Sequence, residues 1–305
     1  HAFRDGGCGG YPMRERDLEW LAGLAPIRVG FVNETLQYSA EEHASNGDLR
    51  ELQEALRRTA RYMTHILAID ENDLNYLRTL APVSVLWMVP CMPKAFIRAA
   101  GEPPTIHRGL FIGTPYGARA DWLQMPELRE TLARHDSPDS RSIIPQRFDE
   151  LHAAIRVGSS VDAPRRAHAY ASYLWELRKL RELSYQMYLD GLREGAAVVH
   201  LPSYCKVYNA RVYEGMAAGR PVITSRGDGR PMLDTLFEAG QDLLLYPADE
   251  PRVLAEHLRN VLDDPEYGRA IADRARSKLL RFHTAEARIR DILSWIATGQ
   301  VPSYQ

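Results

Sequence analysis

Tyr208 to Gly229 reads YNARVYEGMAAGRPVITSRGDG, and this stretch sets the architecture. Arg211, Tyr213, Glu214 and Met216 fall at the spacing of a short amphipathic helix, followed by the small residues Ala217, Ala218 and Gly219. Gly219 suits the left-handed position just past a helix, and Pro221 cannot continue one, so the helix stops there. Val222, Ile223 and Thr224 then form a brief β-branched run, and Ser225 to Gly229 is a polar loop with two glycines and a carboxylate. This is the helix-to-strand half of a parallel α/β unit whose strand delivers a glycine-rich loop to its carboxyl end, where open α/β sheets bind ligands. Glu214 is the carboxylate on the helix leading there. On the local pattern alone, close packing of helix on strand with Glu214 as a solvated charge explains the stretch better than a site does.

Immediately upstream, Ala196 to His200 reads as a buried strand, preceded by a long helical pattern from Arg166 to Arg193. Its stripe of Tyr170, Tyr173, Leu174, Leu177, Leu180, Leu183, Met187 and Leu189 favours core packing over a stacking platform. Downstream, Pro231 to Ala239 reads as helix, Leu243 to Tyr246 as strand, and Glu250 to Leu262, Pro265 to Leu280 and Thr284 to Ile296 as three helices. The last has Ile289, Ile292 and Ile296 on one side. Further back, GLFIGTPYGARADWL predicts a strand at 109–112, a glycine-bearing loop at Gly113 to Gly117, and a helix from Ala118 to Arg134. Backbone amides at that loop and Arg119 in the first helical turn offer an anion site, although a plain strand-to-helix turn accounts for the pattern equally well. The loop has neither the spacing of the dinucleotide fingerprint nor the Lys-Ser/Thr end of a P-loop. Ser142 to Pro145 is a weak strand and Asp149 to Arg156 a short helix.

The first hundred residues have the rhythm of a βαβαβ unit, half of a doubly wound domain. A helix at 11–25 precedes the strand Ile27 to Val32. A helix from Asp48 to Met63, the strand HILAI at 65–69, a helix opened by Asp70 or Asn72 as cap, and the strand Val83 to Val89 follow. Pro90, Pro93, Gly101, Pro103 and Pro104 mark a linker.

A chain of 305 residues with 45% hydrophobic residues has material for two domains. A formal charge of −2 with mixed signs announces no nucleic-acid surface. Cys8, Cys91 and Cys205 are widely spaced, so neither a disulfide framework nor a zinc site is implied. No apolar run approaches the ~20 residues that span a bilayer, and the expectation is a cytoplasmic protein without a transmembrane segment. The opening HAFRDGGCGG lacks the basic and then apolar regions of a signal peptide, and a start on His1 leads us to expect that something upstream is absent.

Three segments, RVYEGMAAGRPVIT at 211–224, LFEAGQDLLLYPADEPRVLAEHLRNVLDDPE at 236–266 and RFHTAEAR at 281–288, with GLFIGTPYGAR upstream in the same order, carry a resemblance. The run from Val198 through Arg288 resembles the carboxyl-terminal domain of GT-B glycosyltransferases. It looks closest to the group-1-like branch with spore-maturation glycosyltransferase-like proteins and glycosyltransferase family 4. The resemblance implies an α/β, GT-B fold of two Rossmann-like parallel-sheet domains around a cleft. It divides the chain into an incomplete acceptor-side domain at 1–105, a donor-binding domain at 106–282, and a segment at 283–305 that crosses back to the first domain.

The implied reaction moves a sugar from a nucleoside diphosphate sugar to a hydroxyl of a glycan, lipid or small-molecule acceptor, with retention, no metal and no cofactor. Glu214 corresponds to the carboxylate that accepts the donor's ribose hydroxyls, and two acceptor oxygens suit a vicinal diol. Negative charge grows on the departing diphosphate, so Arg119 and Arg211 are the candidates to stabilise it, with the amides near Gly113 and the 225–227 loop. The donor-contacting set is Gly113, Thr114, Tyr208, Asn209, Arg211, Glu214, Ser225, Arg226 and Gly227. Eight positions before Glu214, where retaining members carry a second acid, stands Lys206, which offers phosphate a positive charge instead. On the acceptor side Glu34 or His43, after the strand IRVGFV, is the candidate general base. A nucleotide-sugar epimerase and a catalytically silent nucleotide- or glycan-binding module are the competing readings.

Overall fold

The computed structural model describes residues 14–33, 35–36, 49–115, 117–135, 163–203 and 206–304. Among them, α1 (Glu15–Leu24) precedes β1 (Val29–Val32), α2 (Leu49–Ala60), β2 (His65–Ala68), α3 (Leu74–Leu80) and β3 (Ser84–Trp87). These strands form a parallel three-stranded sheet in the order β1-β2-β3, with Val29 opposite His65 and His65 opposite Ser84. Leu56, Ala60, Ile66, Ala68 and Leu77 build its core. Asp70 caps the 3-10 turn Glu71–Asp73, its side chain accepting from the Asn72 amide, before α3 begins.

The second sheet starts with β4 (Ile106–Ile112), followed by α4 (Ala118–Trp122), α5 (Pro126–Arg129), β5 (Leu132–His135), α6 (Ala163–Arg193), β6 (Gly195–His200), α7 (Ala210–Ala217) and β7 (Val222–Ser225). Then come α8 (Pro231–Asp234), β8 (Leu244–Tyr246), α9 (Pro251–Asp263), α10 (Pro265–Phe282) and α11 (Ala285–Thr298). All five strands are parallel, in the order β5-β4-β6-β7-β8. The fold is α/β with two Rossmann-like parallel sheets. α7 and α10 cover one face with Val212, Met216, Ala275 and Leu279, while α9 covers the other with Leu254 and Leu258. Gly219 ends α7 at φ +74°, and a Cβ there would lie 2.7 Å from the Ala99 carbonyl oxygen, so both conformation and space require glycine.

Several expectations need correction. The helix expected over Ala118 to Arg134 is two short turns and a strand. Pro126 has no amide proton to continue the first turn, so it starts a new one at its first helical position, and Leu132–His135 joins the sheet edge. Pro231 to Ala239 is helical only through Asp234. The stripe on α6 is core only near its end, where Leu189 and Leu192 are buried, whereas Tyr170, Leu174 and Leu183 are exposed. On α11, Ile289 faces solvent, and Trp295, flanked by Ile292 and Ile296, packs on Leu67 and Leu86 of the three-stranded sheet. The strand expected at 142–145 and the helix at 149–156 lie outside the described residues.

Two segments connect the sheets, and they meet. Met92 donates its amide to the His283 carbonyl and accepts from the Ala285 amide, at 3.0 and 2.8 Å. Beyond α11, the Tyr304 hydroxyl donates to the Trp87 carbonyl at 2.5 Å, with the buried Arg288 guanidinium 3.9 Å from the Tyr304 ring centre.

Candidate active site

In the order β5-β4-β6-β7-β8 the chain leaves β4 toward one edge and leaves β6 toward the other. The loops after these strands therefore diverge, and the crevice between them at the carboxyl edge is where such sheets take ligands. Into it project Gly113 at the start of the loop after β4, Leu201–Ser203 and Lys206–Asn209 after β6, and the first turn of α7. A cavity of about 360 Å³ between Pro104, Arg220 and Gly268 opens at the opposite, amino-terminal ends of the strands. It is separate from this crevice.

The start of α7 is fixed by a relay of polar groups. Asn209 is its N-cap, and Oδ1 accepts from the Arg211 amide at 2.9 Å. The Asn209 Nδ2, which can only donate, reaches His200 Nε2 at 2.7 Å, and His200 Nδ1 lies 3.0 Å from Thr224 Oγ1. His200 is therefore neutral with its proton on Nδ1. Burial pushes its pKa down to about 3, and the nearby Arg119 and Arg211 push the same way.

Glu214, one turn into α7, is nearly buried at 9% exposure. Its carboxylate accepts from the Tyr188 hydroxyl on Oε2 at 2.8 Å, from the Tyr185 hydroxyl on Oε1 at 3.2 Å, and from Arg211 Nε on Oε2 at 3.3 Å. Tyr185 also lies 3.3 Å from the Met92 sulfur, but a hydroxyl has one proton and a carboxylate is the stronger acceptor. Burial first, and the carboxylate's charge second, raise the pKa of both phenols, so both remain donors. Arg211 rests over the Tyr188 ring at 5.2 Å, and its Nη1 passes 3.8 Å from where a Cβ on Gly113 would sit. Glu214, Arg211, Asn209 and Gly113 are thus brought together at the crevice.

Arg119 sits beneath them, 7% exposed. It donates Nε to the Pro202 carbonyl at 2.7 Å and Nη2 to the Leu201 carbonyl at 3.4 Å, with a longer contact from Nη1 to the Thr114 carbonyl. It ties the two diverging loops together and leaves a fixed positive charge at the floor. The helix behind it has only five residues, so little dipole adds to that charge. Tyr208 is 2% exposed, its ring beside Phe237 in the core, and its hydroxyl has no hydrogen-bond partner among the described residues. Ser225 ends β7, the Arg226 amide is taken by the Tyr246 carbonyl, and a Cβ on Gly227 would lie 2.6 Å from the Lys206 carbonyl oxygen. Glu34 and His43 lie outside the described residues. Among the described residues no group of three or more His, Cys, Asp or Glu has a metal-holding arrangement, and no helix is long and apolar enough to cross a membrane.

The far end of the glycine loop is fastened to the first sheet. Arg230 and Asp70, 4% and 0% exposed, pair through Nη2 to Oδ2 at 2.6 Å and Nε to Oδ1 at 3.1 Å. Glu71 Oε1 accepts from the Met232 amide at 3.0 Å, and Asn72 Nδ2 donates to the Gly229 carbonyl at 3.3 Å. Burial raises the Glu71 pKa. Sequence reasoning took Asp70 for a helix cap, which it also is, and had no signal for its partner 160 residues away. Tyr185 and Tyr188 fall within the helical pattern from Arg166 to Arg193 but outside the stripe that the spacing singles out. Two hydroxyls three residues apart on one helical face were the available sign.

A family described as glycosyl transferase-like matches residues 141–294, just over half of the chain. The chain belongs to that family, and it is a glycosyltransferase with the GT-B fold. Three solved structures resemble it over most of its length. HepE of Anabaena, in complex with UDP-glucose, superposes with a TM-score of 0.53 at 13% identity, covering 94% of this chain and 78% of that one. Sucrose-phosphate synthase of Thermosynechococcus elongatus gives 0.54 at 13% identity, covering 94% and 72%. TarM of S. aureus gives 0.56 at 11% identity, covering 88% and 50%. At these identities the likeness speaks for the fold. A search of curated proteins returned no match.

Proposed function

We propose that the chain transfers a sugar from a nucleoside diphosphate sugar to an acceptor hydroxyl, with retention at the anomeric carbon and without a metal ion. The observation that carries this reading is the pairing of Glu214 with Arg211 at the carboxyl edge of the switch point, beside Gly113. Glu214 accepts from the donor's ribose. Arg211, Lys206 and the loop starting at Gly113 and Thr114 hold the diphosphate, with the fixed charge of Arg119 below.

The bond from the anomeric carbon to the diphosphate oxygen breaks as a bond to the acceptor oxygen forms on the same face of the sugar, which keeps the anomeric configuration. The acceptor's proton leaves to a base, for which Glu34 and His43 are the candidates. Charge grows on the diphosphate, and preorganised cations stabilise it where water would have to reorganise. Their presence is the support for a leaving group stabilised without metal. HepE's complex with UDP-glucose makes UDP-sugars the first donors to try.

The test is slow sugar release from a panel of nucleoside diphosphate sugars, in EDTA. Glu214→Ala and Arg211→Ala should each lower turnover by about 100-fold, the scale of one lost transition-state contact. Donor binding without turnover for any acceptor, or epimerisation without net transfer, would overturn the proposal.

A further inference from the structure

Among the described residues the buried arginines are Arg119, Arg220, Arg230 and Arg288. Arg230 pairs with Asp70, Arg288 pairs with Asp291, and Arg119 forms the floor of the crevice. Arg220 has no carboxylate partner among the described residues and lies away from that crevice. It is 7% exposed, and its guanidinium donates Nε and Nη2 to the Arg193 carbonyl and Nη1 to the Glu102 carbonyl. Three of its five N–H groups are thereby engaged, all with neutral acceptors, and two remain. The Glu102 carboxylate pairs instead with Arg193, on a side chain that is 74% exposed. Burial first, and Arg193 second, push the Arg220 pKa down, yet a guanidinium stays protonated. A cation is therefore held out of water with no anion against it.

Arg220 lines the cavity of about 360 Å³ at the amino-terminal ends of the strands. Its other walls are largely apolar, built from Pro104, Pro221, Val261, Leu262, Pro265 and Ala272. A volume near the lower end for small-molecule sites, with apolar walls and one buried charge, suits a compact ligand. The walls favour an apolar body, and the remaining N–H groups of a planar guanidinium favour a carboxylate. We propose that this cavity is a second ligand site, separate from the crevice, for a small amphipathic carboxylate. The ligand has an apolar ring or chain, roughly ten to fifteen non-hydrogen atoms in all, and its anionic end meets Arg220. It touches both the linker at Gly101–Pro104 and the residues that follow α7, adding to the hold that Arg220 already has on the Glu102 carbonyl. None of this depends on the donor reading above.

Calorimetry with 2-naphthoate and 4-phenylbutyrate, one ring-shaped and one chain-like, tests the proposal. The controls are 2-naphthamide, which keeps the rings without the charge, and acetate, which keeps the charge without the rings. The wild-type chain should bind at least one of the two carboxylates with a Kd below about 1 mM. The amide should bind about tenfold more weakly than 2-naphthoate, and acetate not measurably. His107, which lines the cavity, should show a shift of its ring protons on titration, while His200 at the other end of β6 should not. Ala196→Trp fills the cavity and leaves the Arg220 hydrogen bonds in place, so it should abolish binding. Arg220→Met should bring 2-naphthoate down to the affinity of the amide. That variant also strips two carbonyls of their donor, so if it does not fold, the charge dependence rests on the comparison of acid with amide in the wild-type chain. Failure of both carboxylates to bind, equal affinity for acid and amide, or binding unchanged in Ala196→Trp would overturn the proposal.

Discussion

Two carboxylate–arginine pairs in this molecule look alike on paper and differ in every physical respect. Asp70 and Arg230 have side chains 0% and 3% exposed, meet at 2.6 Å with a second bond alongside, and join the two sheets. Glu214 and Arg211 lie three residues apart on one helix, are 12% and 21% exposed, and touch at 3.3 Å with two tyrosines competing for the same carboxylate. The first pair is complete: the guanidinium fork meets the carboxylate, Asp70 also accepts from the Asn72 amide, and Arg230 Nη1 donates to the Asp228 carbonyl. The second is loosely coupled, and its oxygens and remaining N–H groups face a crevice. A charge pair that is complete suits a joint, and one that is incomplete suits a ligand.

The largest effect expected from breaking this contrast is on stability. Asp70→Ala leaves Arg230 as a buried, uncompensated cation and should cost about 3–5 kcal/mol in urea unfolding, whereas Asp70→Leu combined with Arg230→Met should recover most of it. A cost below about 1 kcal/mol would mean that the joint carries no load. Next comes Glu214→Gln, expected to lower donor kcat/KM by about 100-fold, or ~2.7 kcal/mol, while losing less than half the stability that Asp70→Ala loses. Equal stability losses would erase the distinction.

Acid gives a smaller separation. His200, behind the Glu214 helix, and His283, against Tyr213 and Arg288, are both held neutral in the fold, with pKa values pushed down to about 3 chiefly by burial. The unfolded chain binds their protons from about pH 6.5 downward and the fold does not, so stability falls as pH drops through the window from about 6.5 to about 3. At pH 5.5 the loss should be on the order of 1 kcal/mol per histidine, and His200→Gln should flatten the profile by its share. Smallest of all, Arg269→Ala removes an exposed pair with Glu266 and should change the unfolding free energy by less than about 0.5 kcal/mol.

What could be read from the residues alone followed the range of the interactions involved. The helix end at Gly219, the strand after Pro221 and the placement of Glu214 on the helix before it are local events, set within a few residues by backbone conformation and periodicity, and they were legible. So was the α/β class with parallel sheets, because alternating strand and helix patterns leave few other connections. The strand Leu132–His135 was not, since four residues at a sheet edge carry too little periodicity against the helical spacing that precedes them. The surroundings of Glu214 were hidden for another reason. Tyr185 and Tyr188 arrive from a separate helix, and His200 reaches Asn209 only because neighbouring strands and helix are folded together. Spacing can show that two hydroxyls share a helical face, but not which carboxylate that face will meet.

The meeting of Met92 with His283 and Ala285 bears on how the halves can move. A single strand of chain between two bodies is a tether, and it permits swivel, slide and twist. Here outgoing and returning chains are bonded to each other where they cross, which makes a two-ply hinge. Twisting or sliding would shear those two hydrogen bonds, whereas bending across the ply keeps them. Of the motions open to the crossing itself, bending is the one these two bonds resist least, and a cut in either ply would leave the halves connected by the other.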